Sequence, residues 1–131
     1  MPGIPTSPHP HLCGPVLIVE DDPHLRETLR LALEEEGLPV VTAADGWEAL
    51  ECAARIRPSL VVLDWNLPRL SGESVAAGLR AAFGKTVPIV VITAAGDAAE
   101  KAWRVGAYSC VRKPFEIDEL VIAVWIGLGS P

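Results

Sequence analysis

The chain has 131 residues, half of them hydrophobic and 21% charged, the size and make-up of one globular domain with a real core. Eleven basic against seventeen acidic residues give a net charge of −6 with no basic run, which argues against direct nucleic-acid binding by this chain. Cys13, Cys52 and Cys110 form neither an even set nor a metal-ligand spacing, and no apolar stretch reaches the length of a membrane span, so a reduced, cytoplasmic setting is expected.

Residues 1–14 read as a disordered lead-in, with four prolines by residue 10 and few apolar side chains. This stretch lacks the basic start and apolar core of a secretory signal. His9 and His11 within it read as part of a solvated tail rather than as metal ligands. The domain proper is expected over 15–127, with 128–131 as a short tail.

Strand and helix then alternate. Val16–Val19 is a short apolar, β-branched run. Asp22-Pro23 supplies an N-cap and a proline at the first helical position, Leu25, Leu29, Ala32 and Leu33 follow at helical spacing, and Gly37 stops the helix. Leu38–Thr42 is the second strand, expected at a sheet edge because Pro39 cannot donate to a ladder. Ala49, Leu50 and Ala53 mark one face of a helix between Gly46 and Ile56. Leu60–Leu63 is a third strand, closed by Asp64. Val75, Leu79, Ala82 and Phe83 lie on one face of a third helix that ends at Gly84.

Ile89–Thr93 is the fourth strand, and Asp97–Val105 is an Ala-rich fourth helical segment ended by Gly106. A weaker strand covers Tyr108–Arg112, and a last helix runs from near Glu116 to about Ile126, before Gly127-Leu128-Gly129. Five βα repeats with short loops define an α/β fold, a flavodoxin-like doubly wound (βα)5 three-layer sandwich with a five-stranded parallel sheet.

In such a sheet the C-terminal strand ends open at one edge. Glu20 and Asp21 end the first strand, Asp64 the third, Thr93 the fourth and Lys113 the fifth. Three gathered carboxylates repel one another, and a hard divalent cation such as Mg²⁺ is the natural compensation. A metal, a lysine and a hydroxyl donor together suit a set of phosphoryl oxygens.

The motifs Val16-Leu17-Ile18-Val19-Glu20-Asp21-Asp22-Pro23, Val61-Val62-Leu63-Asp64-Trp65-Asn66-Leu67-Pro68, Ile92-Thr93-Ala94 and Lys113-Pro114-Phe115 occur in this order. In that arrangement the chain, over essentially all of residues 15–126, resembles the receiver domain of two-component response regulators. The resemblance implies that Asp64 accepts a phosphoryl group from the phosphohistidine of a sensor histidine kinase or phosphotransfer protein. Asp21 would be the direct Mg²⁺ ligand and Glu20 would hold the metal through water. Asp64 itself and the backbone carbonyl of Asn66 would complete the protein's share of the ligand set.

By the same resemblance Lys113 would pair with the phosphoryl oxygens, and the Lys113-Pro114 bond would be cis. Thr93 would bind the phosphate and carry the signal outward, and the small Ala94 would leave room for it. Such a domain catalyses its own phosphorylation and dephosphorylation without turning over an external substrate.

Asp22 competes with Asp21 for the metal role, but its place before Pro23 favours capping. Trp65 is given no chemistry beyond shielding the loop. Cys110 stands where receivers usually carry Tyr or Phe, which puts the usual output coupling in doubt; a buried, inert thiol is the preferred reading over a redox role. Tyr108 falls on the same strand face by alternation.

Leu120, Val121, Ile122, Val124, Trp125 and Ile126 span more than one face of the last helix, and Trp103 is hard to bury on the fourth. Either the fourth and fifth helical segments present an apolar patch for a homodimer or a partner domain, or the last helix is a tightly covered core element.

Two other function classes stay open. A metal-dependent phosphatase would want an Asp where Asn66 stands, and a cap domain that 131 residues do not hold. A degenerate receiver used only for docking is kept open by Cys110. Whether the domain acts alone or serves an output domain is also open, as are the cognate kinase and the pathway.

Overall fold

The structure, a computed structural model, describes residues 14–94 and 106–129. The strands are β1 (Val16–Val19), β2 (Val40–Ala43), β3 (Leu60–Asp64), β4 (Ile89–Thr93) and β5 (Ser109–Arg112). The described helices are α1 (Pro23–Glu35), α2 (Gly46–Ile56), α3 (Gly72–Phe83) and α4 (Ile117–Gly127), the last being the fifth helical segment of the sequence. The expected segment Asp97–Val105, with Trp103, lies outside the described residues, as does the lead-in through Cys13.

The five strands form one parallel sheet in the order β2-β1-β3-β4-β5. Side chains alternate across it and sort into two cores. Val16, Ile18, Leu60, Val62, Val90 and Ile92 face α1 and α4, meeting Leu29, Leu33, Leu120 and Val124. Leu17, Val19, Val61, Leu63, Ile89 and Val91 face the other way onto Ala49, Ala53, Val75 and Leu79 of α2 and α3. A strand covered on both faces must be apolar throughout, which is why β1 and β4 read as uninterrupted hydrophobic runs.

β2 is an edge strand, as Pro39 implied. It begins at Val40 rather than Leu38, because the ladder N–H that Pro39 lacks cannot be supplied earlier; the Pro39 carbonyl still accepts from the Val16 N–H at 2.9 Å. Tyr108 precedes β5 instead of opening it and is 46% exposed, although its N–H reaches the Ile89 carbonyl at 2.8 Å.

Asp22 caps α1, its Oδ1 accepting from the His24 N–H at 2.9 Å and the Leu25 N–H at 3.5 Å. α4 starts with a capping box between Glu116 and Glu119. Leu120, Ala123 and Val124 are buried, Val121 and Trp125 pack half-buried against the same core, and Ile122 and Ile126 are exposed. Trp125 Nε1 donates to Glu36 Oε1 at 2.9 Å, joining α4 to the end of α1. Among the described residues no helix is long and apolar enough to cross a membrane.

Candidate functional site

Parallel strands deliver their C-terminal ends to one edge, and the sheet order reverses between β1 and β3, where open α/β sheets form their crevice. Ladder hydrogen bonds run one residue beyond the strands. The Glu20 N–H donates to the Ala43 carbonyl at 3.1 Å, the Trp65 N–H to Ile92 at 2.8 Å and the Lys113 N–H to Thr93 at 2.8 Å. These rungs fix where Glu20, Asp64 and Lys113 leave the sheet.

The structure brings Glu20, Asp21 and Asp64 together: each offers a carboxylate oxygen, and these oxygens lie within 4.8 Å of one another. Glu20 and Asp64 are buried and Asp21 is exposed. Lys113 Nζ stands 3.7 Å from Asp64 Oδ2 and 3.9 Å from Glu20 Oε1. Three carboxylates and one ammonium leave a formal surplus of two negative charges. Asp22, the competing acid, is engaged in capping α1.

Glu20 is the most constrained member. Its Oε2 accepts from the Asp22 N–H at 3.1 Å, while the buried Oε1 accepts no hydrogen bond among the described residues. Burial pushes its carboxyl up to about 7; Asp64 adds to the rise, and the Asp22 N–H and Lys113 oppose it. A buried oxygen without a donor, in a set made only of carboxylates and carrying two surplus charges, fits a hard divalent cation.

Asp64 is held from its own loop. The Asn66 N–H donates to Asp64 Oδ1 at 3.1 Å, and Trp65 and Leu67 are buried in the α2/α3 core, so the loop after Asp64 is anchored on its apolar side. Thr93 is fully buried at the end of β4, and Ala94 beside it is exposed. The Lys113-Pro114 bond is cis. Cys110 is half-buried against the α2/α3 core, and burial raises its thiol's pKa, with Arg112 opposing.

Two further residues shape the site without having stood out in the sequence. Gly72 opens α3 where a Cβ would meet Trp65 Cα at 2.7 Å, the Trp65 carbonyl oxygen at 2.8 Å and the Asp64 carbonyl oxygen at 2.9 Å. Its signal was available: glycine is a poor helix former, so one at a helix start close to the loop after Asp64 calls for a packing reason. Arg26 donates from Nη1 to the Glu20 carbonyl at 2.9 Å and reaches the Asp21 carbonyl at 3.4 Å. No sequence pattern marks it, since the contact is to main chain.

The family model of the response regulator receiver domain matches residues 16–125, and the chain belongs to that family. It is 40% identical over 108 residues to the transcriptional regulatory protein KdpE of Mycobacterium tuberculosis, covering 81% of this chain and 47% of that protein. It is also 41% identical over 111 residues to the DNA-binding response regulator MtrA of Mycolicibacterium smegmatis, covering 83% and 48%. The chain thus spans about half the length of these curated relatives.

Among solved structures, the receiver domain of NtrX from Brucella abortus aligns with a TM-score of 0.81 at 31% identity, over 88% of this chain and 99% of that one. The Francisella response regulator 1452 receiver domain gives 0.81 at 30%, over 88% and 97%. The flavodoxin-like five-stranded sandwich expected from the sequence is the fold observed.

Proposed function

We propose that this domain is a phosphoacceptor switch in which Asp64 takes a phosphoryl group from the phosphohistidine of a sensor kinase or phosphotransfer protein. The observation that carries the reading is the convergence of Glu20, Asp21 and Lys113 on Asp64, with a buried Glu20 oxygen left for a cation. An Asp64 carboxylate oxygen attacks phosphorus, the P–N bond breaks, and the imidazole keeps the electron pair and a proton. The product is an acyl phosphate that water later cleaves. These steps act on the protein itself, with no external substrate turned over.

Glu20, Asp21, Asp64 and the backbone carbonyl of Asn66 would hold Mg²⁺. When bound, the ion neutralises charge on the phosphoryl oxygens as transfer proceeds. Lys113 supplies a cation from the β5 side, the Asn66 N–H orients the nucleophile, and the Thr93 hydroxyl at the end of β4 donates to the transferred group. A phosphorylated site biases two arrangements of the surface around β5 and the fourth and fifth helical segments, and that surface contacts a partner or output domain. Exposed Ile122 and Ile126, one turn apart on α4, support self-association through the same surface. With Cys110 at the strand position usually held by an aromatic ring, this coupling would run through Thr93 without a ring rotation. The cytoplasm, where such kinases present their phosphohistidine, is the compartment this reading requires.

The test is incubation with Mg²⁺ and a small acyl- or amidophosphate donor, followed by the mass of the intact protein. One phosphoryl adduct that needs Mg²⁺ is expected. No adduct would leave a docking module, and steady turnover of ordinary phosphate esters would favour a phosphatase.

A further inference from the structure

Arg26 lies on α1, one turn past the Asp22 cap, and is half-buried. Its Nη1 donates to the Glu20 carbonyl at 2.9 Å and reaches the Asp21 carbonyl at 3.4 Å. Its own N–H donates to the Asp22 carbonyl at 2.9 Å. The residues that bring two of the three gathered carboxylates are therefore fastened by their peptide oxygens to a rigid helix.

This fastening matters because the ladder ends too early to do it. Glu20 makes the last rung, to Ala43, and Asp21 lies beyond it on the exposed side. Three carboxylate oxygens within 4.8 Å of one another repel, and the repulsion favours swinging the outermost acid, Asp21, away from Asp64. A guanidinium holding the carbonyls on either side of the Glu20–Asp21 peptide nitrogen opposes that swing through the main chain.

We propose that Arg26 is a positioning residue for the cation site, holding the Glu20–Asp21 segment so that its carboxylates face Asp64. The inference rests on the metal reading given above for the identity of the cation. Positioning and simple charge act on cation affinity with opposite sign. A guanidinium near a cation site repels the cation, so removing it should tighten Mg²⁺ binding if charge were its only effect. Removing a positioning contact should weaken binding, by about tenfold or more for an outer partner of a metal site.

Calorimetric titration with Mg²⁺ alone, on the full chain and on Arg26→Gln and Arg26→Lys, separates the two, with thermal unfolding in the absence of metal checking that each variant folds. Arg26→Gln is expected to weaken Mg²⁺ binding about tenfold, and Arg26→Lys, which keeps the charge and one donor direction, to fall between. Unchanged or tighter binding by folded Arg26→Gln overturns the proposal while leaving the metal reading intact. If the glutamine variant does not fold, the lysine variant decides: weakened binding supports the proposal and unchanged binding overturns it. An unsubstituted chain that binds no Mg²⁺ would overturn the metal reading and this inference together.

Discussion

Glu20 is 1% exposed, with one carboxylate oxygen on the Asp22 N–H and the other without a donor among the described residues; burial pushes its pKa from 4.5 up to about 7. The folded, metal-free protein therefore holds this proton more tightly than the unfolded chain does. The stabilisation from that proton is complete below about 4.5 and is lost as pH rises through about 7. Denaturant unfolding without metal should show stability falling across that interval, and Glu20→Gln should flatten the fall. An unchanged slope in the variant would place the titration elsewhere. Gly72 allows a second prediction at this scale. A Cβ there would sit 2.7 Å from Trp65 Cα, against main chain that cannot move as a side chain would. Gly72→Ala should cost about 1–3 kcal/mol by the usual overpacking range, and it should slow phosphorylation of Asp64 because the strain falls on the Asp64–Trp65 segment.

The first element after β1 divides its acids between two tasks: Asp22 caps α1, while Glu20 and Asp21 turn toward Asp64. Asp22→Ala should lower unfolding stability by about 1 kcal/mol and leave the yield of phosphorylated protein unchanged; a lost adduct would show that Asp22 serves the site. That division was readable beforehand, because a proline at the first helical position announces the cap. The strands were equally legible, since doubly covered strands carry unbroken apolar runs. What escaped was main-chain detail. Pro39 shortens β2 by withholding a donor, and Tyr108 falls outside β5. Arg26 bonds carbonyls, which carry no residue-type signature. The faces of α4 were ambiguous for another reason: six apolar residues on one short helix exceed what one buried stripe needs, and only packing shows that Leu120 and Val124 go inward while Ile122 and Ile126 do not.

At the scale of the whole molecule, two apolar cores clamp the sheet from both faces, and its C-terminal edge is left for chemistry. On the proposed switching, the surface that meets a partner includes α4, which carries the two exposed isoleucines Ile122 and Ile126. Sedimentation of the Mg²⁺-loaded protein with a phosphoryl mimic should show a shift toward dimer, abolished by Ile122→Lys with Ile126→Lys; a monomer throughout would contradict the self-association. The proposed switch depends on acceptance of the phosphoryl group by Asp64 alone. That acceptance is tested most directly by reducing the phosphorylated protein with borohydride, which converts an acyl phosphate to an alcohol, and locating the altered residue by peptide mass spectrometry. A single change at Asp64, absent from Asp64→Asn, is expected. A modification at any other residue, or one that persists in Asp64→Asn, would contradict acceptance by Asp64 alone.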